Sequence, residues 1–332
     1  MSRIKDTDYL HLSARLHALE TRLLTRERME RMIDAKDHAE AAKVLSECGY
    51  SELNELTVSG LEAVLAAAQS SVFRELGSAV PDSNLIDVFR IKYDYHNAKV
   101  LVKAAATGAQ PERLLMGGGR YDRKELMEDF NKDDLRSYSA TFAQAVLHAK
   151  ESLAACEDPQ LCDFILDRAC YEELTAAARA TGSTFAQGYV RVLIDAINLR
   201  TAVRAARLDK GADFLTQILL PGGNVSADTL AHTKSEDLPR LFSFGPLAEA
   251  AALGAALSVP HSGSLTAFER ACDNGVTAYV SAARRVPFGE QTVIGYLYAR
   301  ENEMTAIRII MSGRLAGLNG DTIRERLRDS YV

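Results

Sequence analysis

The stretch FRIKYDYHNAKVLVKAAATG, residues 89–108, returns in altered form further along the chain, and that return decides the fold. A shift of 101 positions lays DYHNAKVLVKAA from Asp94 over DAINLRTAVRAA from Asp195. Asp94 meets Asp195, Asn97 meets Asn198, Lys99 meets Arg200 and Lys103 meets Arg204. A shift of 205 reaches ENEMTAIRII, where Asn302 stands for Asn97 and Arg308 for Lys103. The correspondence extends outward. Leu115-Met116-Gly117-Gly118 is echoed by Leu219-Leu220-Pro221-Gly222 after a three-residue insertion, and DRACYEELTAAARATGSTF from Asp167 pairs with ERACDNGVTAYVSAARRVPF from Glu269.

Three divergent repeats of about a hundred residues are longer than most solenoid units, so each is expected to form its own bundle. Apolar residues recur at spacings of three and four with no convincing alternating strand, which predicts an all-α protein of three similar helical domains, residues 1–130, 131–231 and 232–332. Helix starts are expected at Ser51, at Asp82-Ser83-Asn84 and at Asp321, with breaks at Gly108, at Gly117-Gly118-Gly119 and at Pro221-Gly222-Gly223.

Wound at 100° per residue, the opening stretch puts Val100, Leu101 and Ala104 around Asn97. Thr201, Ala202 and Ala205 surround Asn198 in the same way, and Thr305, Ala306 and Ile309 surround Asn302. An amide on an apolar face needs partners, because a buried unsatisfied polar group costs roughly 1–3 kcal/mol. Two readings stand: a core amide that fixes helix register, or a polar group lining a cavity. Lys92, Lys99 and Lys103 share the opposite arc, as do Arg200, Arg204 and Arg207, with Arg308 and Arg300 as a reduced third stripe. Like charges four apart on a helix repel. Such a stripe is either a solvated, ion-paired face or a docking surface for acidic partner residues, and Lys99, Lys103, Arg200, Arg204 and Arg308 are the interface candidates.

Composition narrows the function. With 47% hydrophobic and 25% charged residues, the 332-residue chain reads as globular, and its formal charge of −6 argues against nucleic acid as a partner. Five cysteines without a CxxC pair or zinc spacing predict reduced thiols and a cytoplasmic location. The opening MSRIKDTDYLHLSARL carries charges where a signal peptide needs an apolar core. The least polar run, residues 244–259, contains Glu249 and falls short of the ~20 apolar residues of a membrane span, so no direct span is expected.

Signals for catalysis fail. MGGGRYDRKEL lacks the GxxxxGK[ST] order and a preceding strand, which makes it a helix-to-helix turn. The seven histidines form no HExxH and no cluster with cysteine, and no serine stands in GxSxG. No catalytic residue, cofactor site or metal site is expected.

The segments YLHLSARLHALETRLL, DYHNAKVLVKA, DRACYEEL and YLYARENEMTAIRIIMSGR, in this order over essentially the whole chain, resemble the C subunit of the prokaryotic V-type (A-type) ATPase/synthase, counterpart of the vacuolar d subunit. A departure is Ala306 before Ile307-Arg308, where members of that family often carry asparagine. The resemblance implies three helical domains in a pseudo-threefold funnel. It implies a non-catalytic rotor part that joins the central-stalk D and F subunits to the membrane proteolipid ring for proton or sodium transport, peripheral at the inner face of the membrane. The main alternative is a helical scaffold or adaptor presenting a concave protein-binding surface, and behind it stands an all-α enzyme with a diffuse site.

Overall fold

The computed structural model describes residues 4–53, 57–259 and 263–332; residues 1–3, 54–56 and 260–262, among them His261, lie outside it. The described residues form helices and no strand. In chain order these are α1 (Leu10–Glu20), α2 (Arg26–Asp34), α3 (His38–Glu47), α4 (Val58–Gly77), α5 (Asn84–Thr107), α6 (Arg123–Asn131), α7 (Ala140–Cys156) and α8 (Pro159–Ala180). They continue with α9 (Thr184–Arg207), α10 (Ala212–Ile218), α11 (Ala227–Ala231), α12 (Leu238–Leu241), α13 (Ala248–Leu257), α14 (Thr266–Val280), α15 (Glu290–Leu315) and α16 (Gly320–Arg326). Packing divides them into two compact units, one of residues 82–183 and one of residues 1–81 with 184–332.

In the unit of residues 82–183, α5 packs along α8 and α7. Apart from the basic arc, it is buried on most sides, with Leu85, Phe89, Ile91, Tyr95 and Leu101 all inside, as expected of a helix with several neighbours. Asp82 starts it by accepting the Asn84 N–H at 3.0 Å, and Gly108, with φ of 69°, ends it in the left-handed conformation. Asp122, Ser139 and Asp158 cap α6, α7 and α8, each accepting a first-turn N–H. Beside α5, the Tyr95 ring meets Phe142 edge-on at 5.2 Å, and Tyr121 and Tyr138 join the same aromatic cluster.

In the other unit, α9 packs on α13 and α14, and α15 is enclosed by α1, α2, α3, α4 and α16. Gly254 sets the first contact, since a Cβ there would lie 2.8 Å from Val203 and 2.9 Å from Phe268. The second is a continuous apolar core in which Met29, Met32, Leu45, Leu61 and Leu65 meet Met304, Ile307, Ile310 and Met311. Segments far apart in the chain therefore complete one another's burial. The start of α4 is capped by Thr57, not at Ser51, and α16 is capped by Asn319, two residues before the Asp321 that the sequence suggests. Both differences have one cause: several hydroxyl, amide and carboxylate side chains stand near each start, and the cap goes to the one whose oxygen reaches the third N–H. Cys48, Cys162, Cys170 and Cys272 are buried free thiols, whereas Cys156 is exposed.

Ile307 of α15 is fully buried against the N-terminal helices, so truncation should open a cavity that the packed neighbours fill only in part. Ile307→Ala is expected to lower the unfolding free energy by about 2–5 kcal/mol in chemical denaturation. A loss under ~1 kcal/mol would show that α15 is not held by this core.

Candidate functional site: two clasps and an ion-pair ladder

The polar residues of α5 are answered by the chain that returns beside it. The Asn97 side chain donates to the Met116 carbonyl at 2.9 Å and accepts the Met116 N–H at 2.8 Å. Asp94 accepts the Arg120 N–H at 2.9 Å and the Tyr121 N–H at 3.3 Å on one oxygen, and the Arg120 Nε–H at 2.7 Å on the other. Arg120 continues to Glu173 of α8 through both terminal nitrogens at 3.1 Å. Burial pushes the Asp94 carboxyl up to about 6, opposed by the Arg120 contact. At Glu173 burial acts in the same direction, but hydrogen bonds from Arg120 and Ser139 outweigh it and hold the carboxyl low.

Gly119 owes its place in the glycine run to this approach. A Cβ on Gly119 would lie 2.2 Å from the Asp94 carboxylate oxygen, closer than any real contact. The turn therefore holds a carboxylate of its own chain.

The same clasp recurs on α9. Asn198 donates to the Leu220 carbonyl and accepts the Leu220 N–H, both at 2.8 Å. Asp195 accepts the Asn224 and Val225 N–H groups, each at 3.1 Å, and a Cβ on Gly223 would again stand 2.2 Å from the carboxylate. Here the Asn224 side chain at 2.8 Å replaces the Arg120 guanidinium, and burial again raises the Asp195 carboxyl. Of the two readings open for Asn97 and Asn198, the contacts are those of a core amide that sets register.

Asn302 does not repeat the arrangement. It is only half-buried and donates to the Asp329 carbonyl at 3.2 Å. The buried polar group of α15 is its neighbour Glu303, which accepts the Leu24 N–H at 2.8 Å, the Tyr50 O–H at 2.9 Å and an Arg300 N–H at 2.5 Å. Burial raises this carboxyl while Arg300, stacked 4.7 Å over the Tyr50 ring, lowers it. The helical winding that places Asn302 beside Thr305 places Glu303 beside Ala306, Ile307 and Ile310. That wholly apolar setting is the signal that identifies Glu303.

The basic stripes meet acids of the same chain. Lys99 donates to Asp167 at 2.6 Å and Lys103 to Asp163 at 2.8 Å, both on α8. Arg200 pairs with Asp273 and Arg204 with Glu269, both on α14, and Arg308 reaches Glu62 of α4 at 2.8 Å. The remaining members go elsewhere: Lys92 lies over the Tyr93 ring, Arg207 donates to the Gly263 carbonyl, and Arg300 is buried against Glu303. The ladder corrects one sequence match. Asp167 corresponds in pairing to Asp273, not to Glu269, a slip of one helical turn that an apolar spacing of three and four leaves invisible. Asp163 and Asp167 stand four apart like the lysines they face, as do Glu269 and Asp273.

This geometry holds backbone and pairs helices, and the carboxylates of both clasps are occupied by N–H donors. The comparisons with known proteins agree with a whole-chain architecture. The profile of the family described as ATP synthase (C/AC39) subunit matches residues 12–326, and the chain belongs to that family. It is 22% identical to the V-type sodium ATPase C subunit of Enterococcus hirae, covering 98% of this chain and 99% of that protein. It is 26% identical to the A-type ATP synthase C subunit of Haloquadratum walsbyi, over 95% of this chain and 96% of that one. The V-type ATP synthase C subunit of Deinococcus radiodurans is 24% identical, over 97% and 91%.

Two measurements check these contacts. Asn198→Ala strips the buried Leu220 N–H and carbonyl of their partner and should cost about 2–4 kcal/mol, whereas Asn302→Ala should cost under ~1 kcal/mol. Equal losses would contradict the difference between the two sites. In the ladder, Lys103→Glu should lose about 1 kcal/mol or less, partly restored by adding Asp163→Lys, because pairs this exposed are screened by solvent. A reversal that the second change does not rescue would show that the pair is not formed.

Proposed function

We propose that this member of the ATP synthase (C/AC39) subunit family is a non-catalytic rotor subunit of a V/A-type ATPase/synthase, coupling the central-stalk D and F subunits to the membrane proteolipid ring for ATP-linked proton or sodium transport. The observation that carries the reading is the family match along nearly the whole chain, residues 12–326, together with relatives of the same length named as the C subunit of such complexes. The three-module funnel implied by the sequence resemblance belongs to this proposal, as does a peripheral place at the inner face of the membrane. No helix among the described residues is long and apolar enough to cross a membrane.

The mechanics suit the task. A part that transmits torque needs stiffness, and stiffness comes from close-packed helices whose register is fixed. The clasps at Asp94-Asn97 and Asp195-Asn198 fix register with buried, directional bonds, and the ion pairs brace neighbouring helices at their edges. Catalysis of ATP hydrolysis in this reading belongs to other subunits.

Reconstitution tests it. With the wild-type chain present, ATP hydrolysis by the assembled complex should drive ion uptake into vesicles; without it, hydrolysis should persist while uptake falls to background. Stoichiometric ATP binding by the purified chain, or full transport in its absence, would overturn the proposal.

A further inference from the structure

One end of α9 carries a feature that the clasps and the ladder do not use. A cavity of about 180 Å³ opens between α9, α10, α11 and α12, floored by Ala202 and Ala206 and walled by Leu215, Leu230 and Leu238. Lys210 and Lys234 also line it, and no carboxylate does. The acids beside the opening in sequence, Asp209, Asp213, Asp228, Glu236 and Asp237, are exposed and stand outside the lining. Among the described residues neither lysine forms an ion pair; Lys210 lies 5.7 Å over the Phe214 ring. This contrasts with the ladder, where each cation has its acid.

The wall formed by α10 lies in a connection three residues longer than its counterpart in the first repeat, residues 108–115, which forms no helix. Asp209, at φ of 53°, turns the chain at the end of α9 so that the Lys210 N–H bonds back to the Ala205 carbonyl, which fixes the residue beside the opening.

Size and charge select the occupant. Pockets for small ligands and cofactors run about 300–1,000 Å³, so this one is too small for a nucleotide and is of the order of one side chain. Apolar walls take an aliphatic or aromatic knob, and two unanswered ammonium groups at the mouth favour a carboxylate beside it. We infer that this cavity is a docking site for a partner polypeptide, receiving one apolar side chain flanked within a turn by Asp or Glu. The inference rests on the rotary-complex reading, in which the partner is another subunit.

The test uses the complete complex assembled with this chain. Ala206→Phe fills the cavity from within, and the double change Lys210→Glu with Lys234→Glu alters only exposed residues, so that folding, checked by thermal melting, is expected to be kept. Each should weaken retention of the chain by about tenfold or more, the charge variant losing its dependence on salt. p-Benzoylphenylalanine in place of Thr233, at the mouth, should crosslink to a partner segment carrying the apolar-acidic pair. Crosslinks to lipid alone, or retention of both variants at wild-type strength, would overturn the inference and leave the rotary reading standing. A wild-type chain that never joins stalk or ring would defeat both.

Discussion

A carboxylate buried in a helix bundle can only accept hydrogen bonds, and this one restriction shapes the two best-defined parts of the molecule. Asp94 and Asp195 sit on long helices that are apolar on most sides, where water cannot answer them. The donors must come from the chain itself. The segment leaving each helix therefore turns back, offers two successive N–H groups to the carboxylate, and passes so close that glycine is required at the point of approach. The asparagine three residues along takes both backbone groups of one further residue, and the register of the return is fixed. Replacing either acid by its amide would turn an N–H toward donors, which is why the residue type matters as much as its burial.

How far the sequence reveals this depends on whether a feature is local. Asp94-Asn97 and Asp195-Asn198 are legible because spacing along one helix shows both the polar residue and its apolar surroundings, and the glycine run downstream is legible as a break. That the glycines belong to the carboxylates is not, because the contact joins residues 25 or more positions apart and no periodicity relates them. The ion pairs show the same limit: the spacing of cations is evident, yet the helix that answers them emerges only from packing. The slip from Asp273 to Glu269 has the same origin, since a helix moved by one turn keeps its apolar face. At Asn302 the repeat pattern misleads by one residue, because Glu303, not the amide, lies on the buried side.

The two kinds of polar contact do different work. The clasps are buried, so losing one partner leaves backbone groups stranded at a cost of kcal/mol. The ladder is half-exposed, so each pair adds little to stability and mainly selects which helix faces which. A structure that keeps its strong bonds inside and its weak ones at helix edges can hold a fixed shape while its surface remains free to meet partners. The lysines of the cavity on α9 stand outside the ladder.

The core that joins Met29, Met32, Leu61 and Leu65 to Met304, Ile307 and Ile310 has a consequence in time. At a synthesis rate of about 5–20 residues per second, the first helices leave the ribosome roughly ten to fifty seconds before the helix that covers them. Through that interval Leu24 and Tyr50 also lack Glu303, their acceptor. The unit of residues 82–183, whose helices follow one another directly, can close while the rest is still being made. Chaperones that guard nascent chains would therefore be needed most by the earliest-made part of this protein, which is the last to find its place.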